Sequence, residues 1–100
     1  MKIEWSDDAI EDLQNIHDFI ANYSTQRAGR IVDRIFERIT ILESGFVRIG
    51  QIEELLADIP FEYRYLIEDY YKIIYRIVKG KVEIVKIFDV RQNPEKLTNL

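Results

Sequence analysis

At residue 61 the hydrophobic pattern of this 100-residue chain changes its period. Before that point apolar residues recur every three or four positions. After it, "FEYRYLI", "YYKIIYRIV" and "KVEIVKIFDV" are runs of β-branched and aromatic residues. A spacing of three and four describes a helix with one buried stripe, whereas the later runs describe strands. A chain of this length supports one core, so the two halves must pack as layers of a single α+β domain spanning residues 1–100.

The helical half divides in two. In "SDDAIEDLQNIHDFIANY", Ala9, Leu13, Ile16, Ile20 and Tyr23 share one face; Ser6 is a candidate N-cap, and Asp7 and Asp8 suit the positive end of the helix dipole. Ser24 and Thr25 offer a second cap. From there Ala28, Ile31, Val32, Ile35, Ile39 and Leu42 keep the helical period until Ser44 and Gly45, where glycine suits a left-handed ending. So short a joint predicts an antiparallel helical hairpin. "KIEW" is short and alternating and predicts an opening strand at a sheet edge. "FVRIGQIEELLADIP" is expected to be a connection: "IEELLAD" has a helical turn's composition, and Gly50 and Pro60 break anything longer.

The three later strands meet at Glu68-Asp69 and Lys79-Gly80, joints tight enough to require an antiparallel meander. The expected architecture is the helical hairpin packed on one face of an antiparallel sheet. After the last strand, Asn93 is a good N-cap, Pro94 fits a first helical position and Glu95 suits the dipole, so "NPEKL" predicts a short terminal helical turn. Capping does not account for Arg91.

Side chains on alternate strand residues share a face. Lys72 and Arg76 therefore lie together, about 13 Å apart, with Tyr70 and Ile74. Arg64 is expected on the preceding strand and Lys86 on the following one. With Arg91 and Lys96 they form a basic set beside Glu62, Glu83 and Asp89. Two readings stand: ordinary charges on a solvated face, or a sheet face left free by one-sided helix packing and used to bind a partner.

Composition removes several other classes. Four scattered glycines build no phosphate loop, and the absence of cysteine removes disulfides and thiolate metal sites and suits a reducing cytoplasm. His17 is the single histidine and sits among helix residues, which leaves no support for a His-centred metal site or a Ser-His-Asp arrangement. Trp5 and the tyrosines at 63, 65, 70, 71 and 75 are expected to pack rather than stack on bases. "MKIEWSDD" lacks a signal-peptide core and no apolar run reaches membrane-spanning length, so a cytoplasmic location without membrane contact is expected. A net charge of −4 opposes broad nucleic-acid binding unless the cations cluster.

In order and spacing the segments resemble the RelE/ParE superfamily, the toxin halves of bacterial type II toxin–antitoxin modules. "IEWSDDAIEDLQNIHDFIA" resembles the opening strand and first helix, and "STQRAGRIVDRIFERITILES" the second helix. The central strand pair carries Arg64, Tyr71, Ile73, Tyr75 and Arg76, and "VEIVKIFDVRQNPEKL" is similar to the family's last strand and its Arg-Gln/Asp-x-Pro ending. The resemblance implies a growth-inhibiting or plasmid-stabilising toxin. Its partner would be a cognate antitoxin whose C-terminal segment wraps it, in a homodimer or a heterotetramer, with no cofactor or metal.

Two activities are known in the superfamily. ParE-like members inhibit DNA gyrase without a recognised hydrolytic site, and RelE-like members cleave mRNA in the ribosomal A site. Under the first, Arg64, Lys72, Arg76 and Arg91 bind the target or the antitoxin. Under the second, Arg64, Lys72 and Arg91 are the catalytic candidates, since RNA cleavage needs cations for the developing phosphate charge together with a base and usually an acid. Asp89 stands where a last-strand histidine is often found, and the helical hairpin and "RQNP" ending look more ParE-like, so gyrase inhibition by protein contact is the favoured expectation. A nontoxic or degenerate member acting as an interaction module is the third.

Overall fold

Two serines start the helices. In the computed structural model, which describes residues 1–56 and 61–99, Ser6 Oγ accepts the Ala9 amide at 3.0 Å and opens α1 (Asp7–Ala21). The same hydroxyl donates to the Val85 carbonyl oxygen at 2.9 Å, so one side chain both caps the helix and pins it to the last strand. Ser24 Oγ accepts the Arg27 amide and opens α2 (Thr25–Glu43), which closes at Gly45 with φ +103°. Ala28, Ile31, Ile35, Ile39 and Leu42 of α2 are buried, while Val32 is partly exposed. Tyr23 departs from the expected stripe: α1 ends two residues earlier and its ring is 80% exposed.

The strands are β1 (Lys2–Trp5), β2 (Gln51–Ile52), β3 (Tyr63–Glu68), β4 (Tyr71–Val78) and β5 (Lys81–Asp89), in the order β1-β5-β4-β3-β2. The meander β3-β4-β5 is antiparallel as expected. Lys79 and Gly80, at φ 51° and 78°, form the tight turn between β4 and β5. Two points correct the sequence reading. β1 joins β5 in parallel, Lys2 opposite Lys81 through Trp5 opposite Ile84. Nearly the whole chain separates these strands, so no tight turn sets their relative direction. The expected connection also contains β2, paired antiparallel to Arg64 and Tyr65; the helical turn read in "IEELLAD" is present, as a 3-10 turn over Glu54–Leu56. Pro60, expected to end any element there, lies outside the described residues.

The helix-facing side of the sheet, with Tyr71, Ile73, Tyr75, Val82, Ile84 and Ile87, packs against α1 and α2 as the main core. Ile74 lies opposite Lys86 and Tyr75 opposite Ile84, so Val85 has no opposite number. This bulge redirects the strand. Val85 and Phe88 join Tyr63 and Ile74 on the other face, where Leu56 and Leu97 cover them. Leu97 comes from the terminal 3-10 turn (Pro94–Asn99), whose Asn93 accepts the Glu95 amide as a cap. The expectation of a face left free by one-sided helix packing is therefore corrected. Two short turns roof part of it, because Leu56 and Leu97 would otherwise be stranded in water.

Gly50 stands where the connection crosses the main core. A Cβ there would lie 2.5 Å from Tyr75 Oη and 2.8 Å from the Tyr65 carbonyl oxygen, whereas one at Gly29, inside α2, meets nothing within 4 Å. Gly50→Ala is expected to lower stability by about 1–3 kcal/mol. Gly29→Ala should raise it by about 0.5–1 kcal/mol. Urea unfolding of both variants checks the pair, and equal midpoints would show that the connection is not held as described.

Candidate functional site

Arg64, Lys72, Arg76, Lys86 and Arg91, five of the basic set read from the sequence, do not share a face. Arg64 lies opposite Tyr75 and so points to the helix side of the sheet, where its guanidinium donates to the Gly50 carbonyl at 2.7 Å and the Arg48 carbonyl at 3.3 Å. Glu62 holds its Nε at 3.2 Å, and the side chain is only 15% exposed. Tyr75 completes the clamp: its hydroxyl accepts the Gly50 amide at 3.0 Å and donates to the Val47 carbonyl oxygen at 2.6 Å. Burial pushes the Tyr75 phenol up from its ordinary pKa, with the Gly50 contact opposing.

Lys72 and Arg76 do share the opposite face. Lys72 Nζ sits 2.7 Å from Glu53, a carboxylate 3% exposed, and 4.4 Å from the centre of the Tyr65 ring. Glu53 also accepts the Leu55 amide at 3.2 Å, so the pair fixes the 3-10 turn that roofs this face. Arg76 is held cross-strand by Glu83 at 3.1 Å and lies over the Phe61 ring at 4.7 Å. Lys86 reaches Asp12 of α1, and Asp12 also accepts the Ile87 amide, capping the stretch of β5 that β1 is too short to cover. Each of these cations braces the fold through a carboxylate.

Arg91 sits elsewhere, beyond β5 and beside the β3–β4 turn. Its Nε and Nη2 reach the two oxygens of Asp89 at 3.0 and 2.7 Å, its own amide donates to Asp89 at 2.9 Å, and its guanidinium lies 4.3 Å from the centre of the Tyr70 ring. The hydrogen bonds to Arg91 hold the Asp89 carboxyl below its ordinary value, and Asp89 raises Arg91 in turn. Tyr71 is pushed up, by burial first and by the charge of Asp89 second. Two grooves meet here. One of about 360 Å³ runs between α1 and the end of β5 past Asp12, Tyr71 and Asp89. The other, about 170 Å³, is lined by Tyr23, Arg27, Ile31, Tyr70 and Arg91. Phe19, 60% exposed, borders both.

The candidate site is this corner: Arg91 presented by Asp89 and Tyr70, with Phe19 and Tyr23 edge to face at 5.7 Å. Of the four residues singled out from sequence, the structure places Arg91 here, Lys72 and Arg76 on the roofed face, and Arg64 in the clamp. Sequence reasoning missed Phe19 and assigned Tyr23 and Tyr70 to packing. The available signal was position: Tyr23 follows the end of the helical stripe and Tyr70 follows a turn. His17 lies on the exposed side of α1, 3.4 Å from Asp18. No group of His, Cys, Asp and Glu among the described residues is arranged to hold a metal ion, and no helix there is long and apolar enough to cross a membrane.

The model of one family, the ParE toxin of the type II toxin–antitoxin system parDE, matches residues 3–94. The chain belongs to the ParE toxin family. Among solved structures, the "Chromosomal ParDE TA system from P. aeruginosa" aligns with a TM-score of 0.72 at 20% identity. The match covers 90% of this chain and 96% of that one and shows a common fold. No curated protein matches. The broader superfamily resemblance in the sequence thus resolves to its ParE branch, in which Arg91 lies within the matched span.

The Asp89–Arg91 pair yields a pH dependence. Its folded-state carboxyl is depressed below the ordinary value of about 4. The stabilisation is therefore complete above that value and is lost as pH falls through the folded value. Arg91 is 52% exposed, so Asp89→Asn should cost no more than about 1 kcal/mol at neutral pH. The gap between the two proteins should close on acidification below about pH 4, read by urea unfolding across pH.

Proposed function

We propose that this ParE-family toxin inhibits DNA gyrase by protein–protein contact, with Arg91 in the contacting surface, and is neutralised in the cytoplasm by a cognate antitoxin. The observation carrying this reading is that Arg64, Lys72, Arg76 and Arg91 are each already held by a carboxylate. A ribonuclease site must offer open cations to a phosphate whose charge grows in the transition state, with a base aimed at the 2′-hydroxyl. Here Lys72 and Arg76 face away from Arg64, and the carboxylates beside them would repel the phosphate. Protein contact requires no such chemistry: it favours rigid aromatic and arginine side chains at a groove, as Tyr70 and Arg91 provide.

The antitoxin reading draws on the exposed apolar side chains. Tyr23, Phe46 and Phe19 are each at least 60% exposed, which suits a surface covered by a partner. The same exposure predicts that the isolated toxin self-associates as its concentration rises. A sharp, concentration-independent monomer on size exclusion would count against it.

The target is tested directly. The toxin should block supercoiling by purified gyrase, and Arg91→Ala should need about tenfold more protein for the same inhibition. In a pulse-labelled culture, DNA synthesis should fall before protein synthesis. The reverse order would indicate the ribosome-dependent nuclease instead, and full growth inhibition by Arg91→Ala at equal expression would remove Arg91 from the site.

A further inference from the structure

We propose that one flank of α2 is a docking surface for an acidic, amphipathic polypeptide segment, a proposal that stands apart from the identity of the toxin's target. Eight of the fourteen Lys and Arg residues pair with a carboxylate. Among the described residues, the six that do not are Arg27, Arg30, Arg34, Arg38, Lys79 and Lys96. Four of these six are thus on a single helix, while Lys79 and Lys96 stand apart from it.

Their spacing of three, four and four makes them a row. At 100° per residue the four fall within about 80° of the helix circumference, roughly a right angle from the buried stripe. The row is about 16 Å long at 1.5 Å per residue. Arg27, Arg30 and Arg34 are exposed, and Arg38 Nε donates to the Ile67 carbonyl oxygen at 3.2 Å. That contact places the row beside the end of β3, where β2, which pairs only with Arg64 and Tyr65, no longer covers the sheet edge.

Each end of the row adjoins a depression. At the Arg27 end the cavity of about 170 Å³ is walled by Phe19, Tyr23, Ile31 and Tyr70, with room for an apolar anchor. At the other, Ile41 lies beside Arg34 and Arg38 in a shallow hollow shared with Glu37 and Glu68, neither of which forms an ion pair with them. These carboxylates, and Asp33 on the same helix, discriminate between polyanions. A nucleic-acid strand would bring continuous phosphate charge against them and against a net charge of −4. A peptide can place its carboxylates at the row alone and an apolar side chain in the cavity, so the charge pattern fits an acidic peptide.

The test uses the full-length toxin and a fluorescein-labelled helical peptide carrying glutamates at spacings of three, four and four with a leucine set to reach the cavity. Anisotropy should report binding that weakens with salt, and the peptide with glutamine in place of glutamate should bind at least about tenfold more weakly. The combined variant Arg27→Gln, Arg30→Gln and Arg34→Gln should lose affinity about tenfold or more, while Lys79→Gln should bind like wild type. Glutamine is nearly as good a helix former as arginine and all three sites are exposed, so an unchanged melting temperature should separate lost docking from lost folding. Wild-type affinity in the triple variant would overturn the proposal. Tighter binding of a single-stranded oligonucleotide of matched length would also overturn it, in favour of a nucleic-acid surface.

Discussion

The hydroxyl of Tyr75 is buried in the main core, and a buried hydroxyl must find its partners within the protein. It finds them on the connection after α2, taking the Gly50 amide and giving its proton to Val47. Much of the second half follows. With residues 47–50 fixed against β4, Arg64 can close over them from β3, and β2 emerges in register beside Arg64 and Tyr65. The next residue, Glu53, is then placed to receive Lys72 and start the turn that brings Leu56 over the second face. A ring smaller than tyrosine, or one without the hydroxyl, would leave the connection's polar backbone unpaired beside the core, at a cost of about 1–3 kcal/mol per orphaned group.

This arrangement decides what the charged residues are free to do. Arg64 and Lys72, read from the sequence as candidates for a phosphate or a partner, are the means by which the connection is fastened down. Lys86 serves in the same way by drawing Asp12 over the exposed edge of β5, where an open strand would invite pairing with another chain. Charges used as internal braces contribute little outward field. Among the described residues the cations left without a carboxylate partner are four arginines along α2, with Lys79 and Lys96. A toxin that works by contact can use such a surface; one that grips RNA throughout a phosphoryl transfer needs a broader one.

The sequence announced what depends on near neighbours. Ser6 and Ser24 cap, Gly45 and Gly80 adopt positive φ, and Asn93 caps the terminal turn, because each need is met within a few residues. The alternating runs likewise announced β3, β4 and β5. What stayed hidden depends on distant partners. The direction of β1 is set by β5 across most of the chain, and the bulge at Val85 is a matter of register between two strands. The roles of Arg64 and Lys72 were unreadable for a sharper reason: Arg64's main partners are carbonyl oxygens, which every residue carries, and Glu53 looked like any other solvated acid in "QIEEL". Tyr23 was misplaced because periodicity cannot see where a helix stops.

Under the proposed function, Arg91 would meet a structural and a functional demand at once. Asp89 fixes its guanidinium through two parallel bonds, and Tyr70 covers one of its faces. A side chain held this way loses little conformational freedom on meeting a partner, so less of the contact energy is spent on ordering it. It is also already half satisfied. A partner carboxylate would have to share the cation with Asp89 and feel its repulsion, whereas a carbonyl oxygen or an aromatic ring could use the remaining edge or face without displacing anything. In the proposed contact, preorganisation by Asp89 would therefore favour neutral acceptors and rings at Arg91, beside the Phe19 and Tyr23 groove, in contrast to the arginines of α2, which have no carboxylate partner and would suit negative charge.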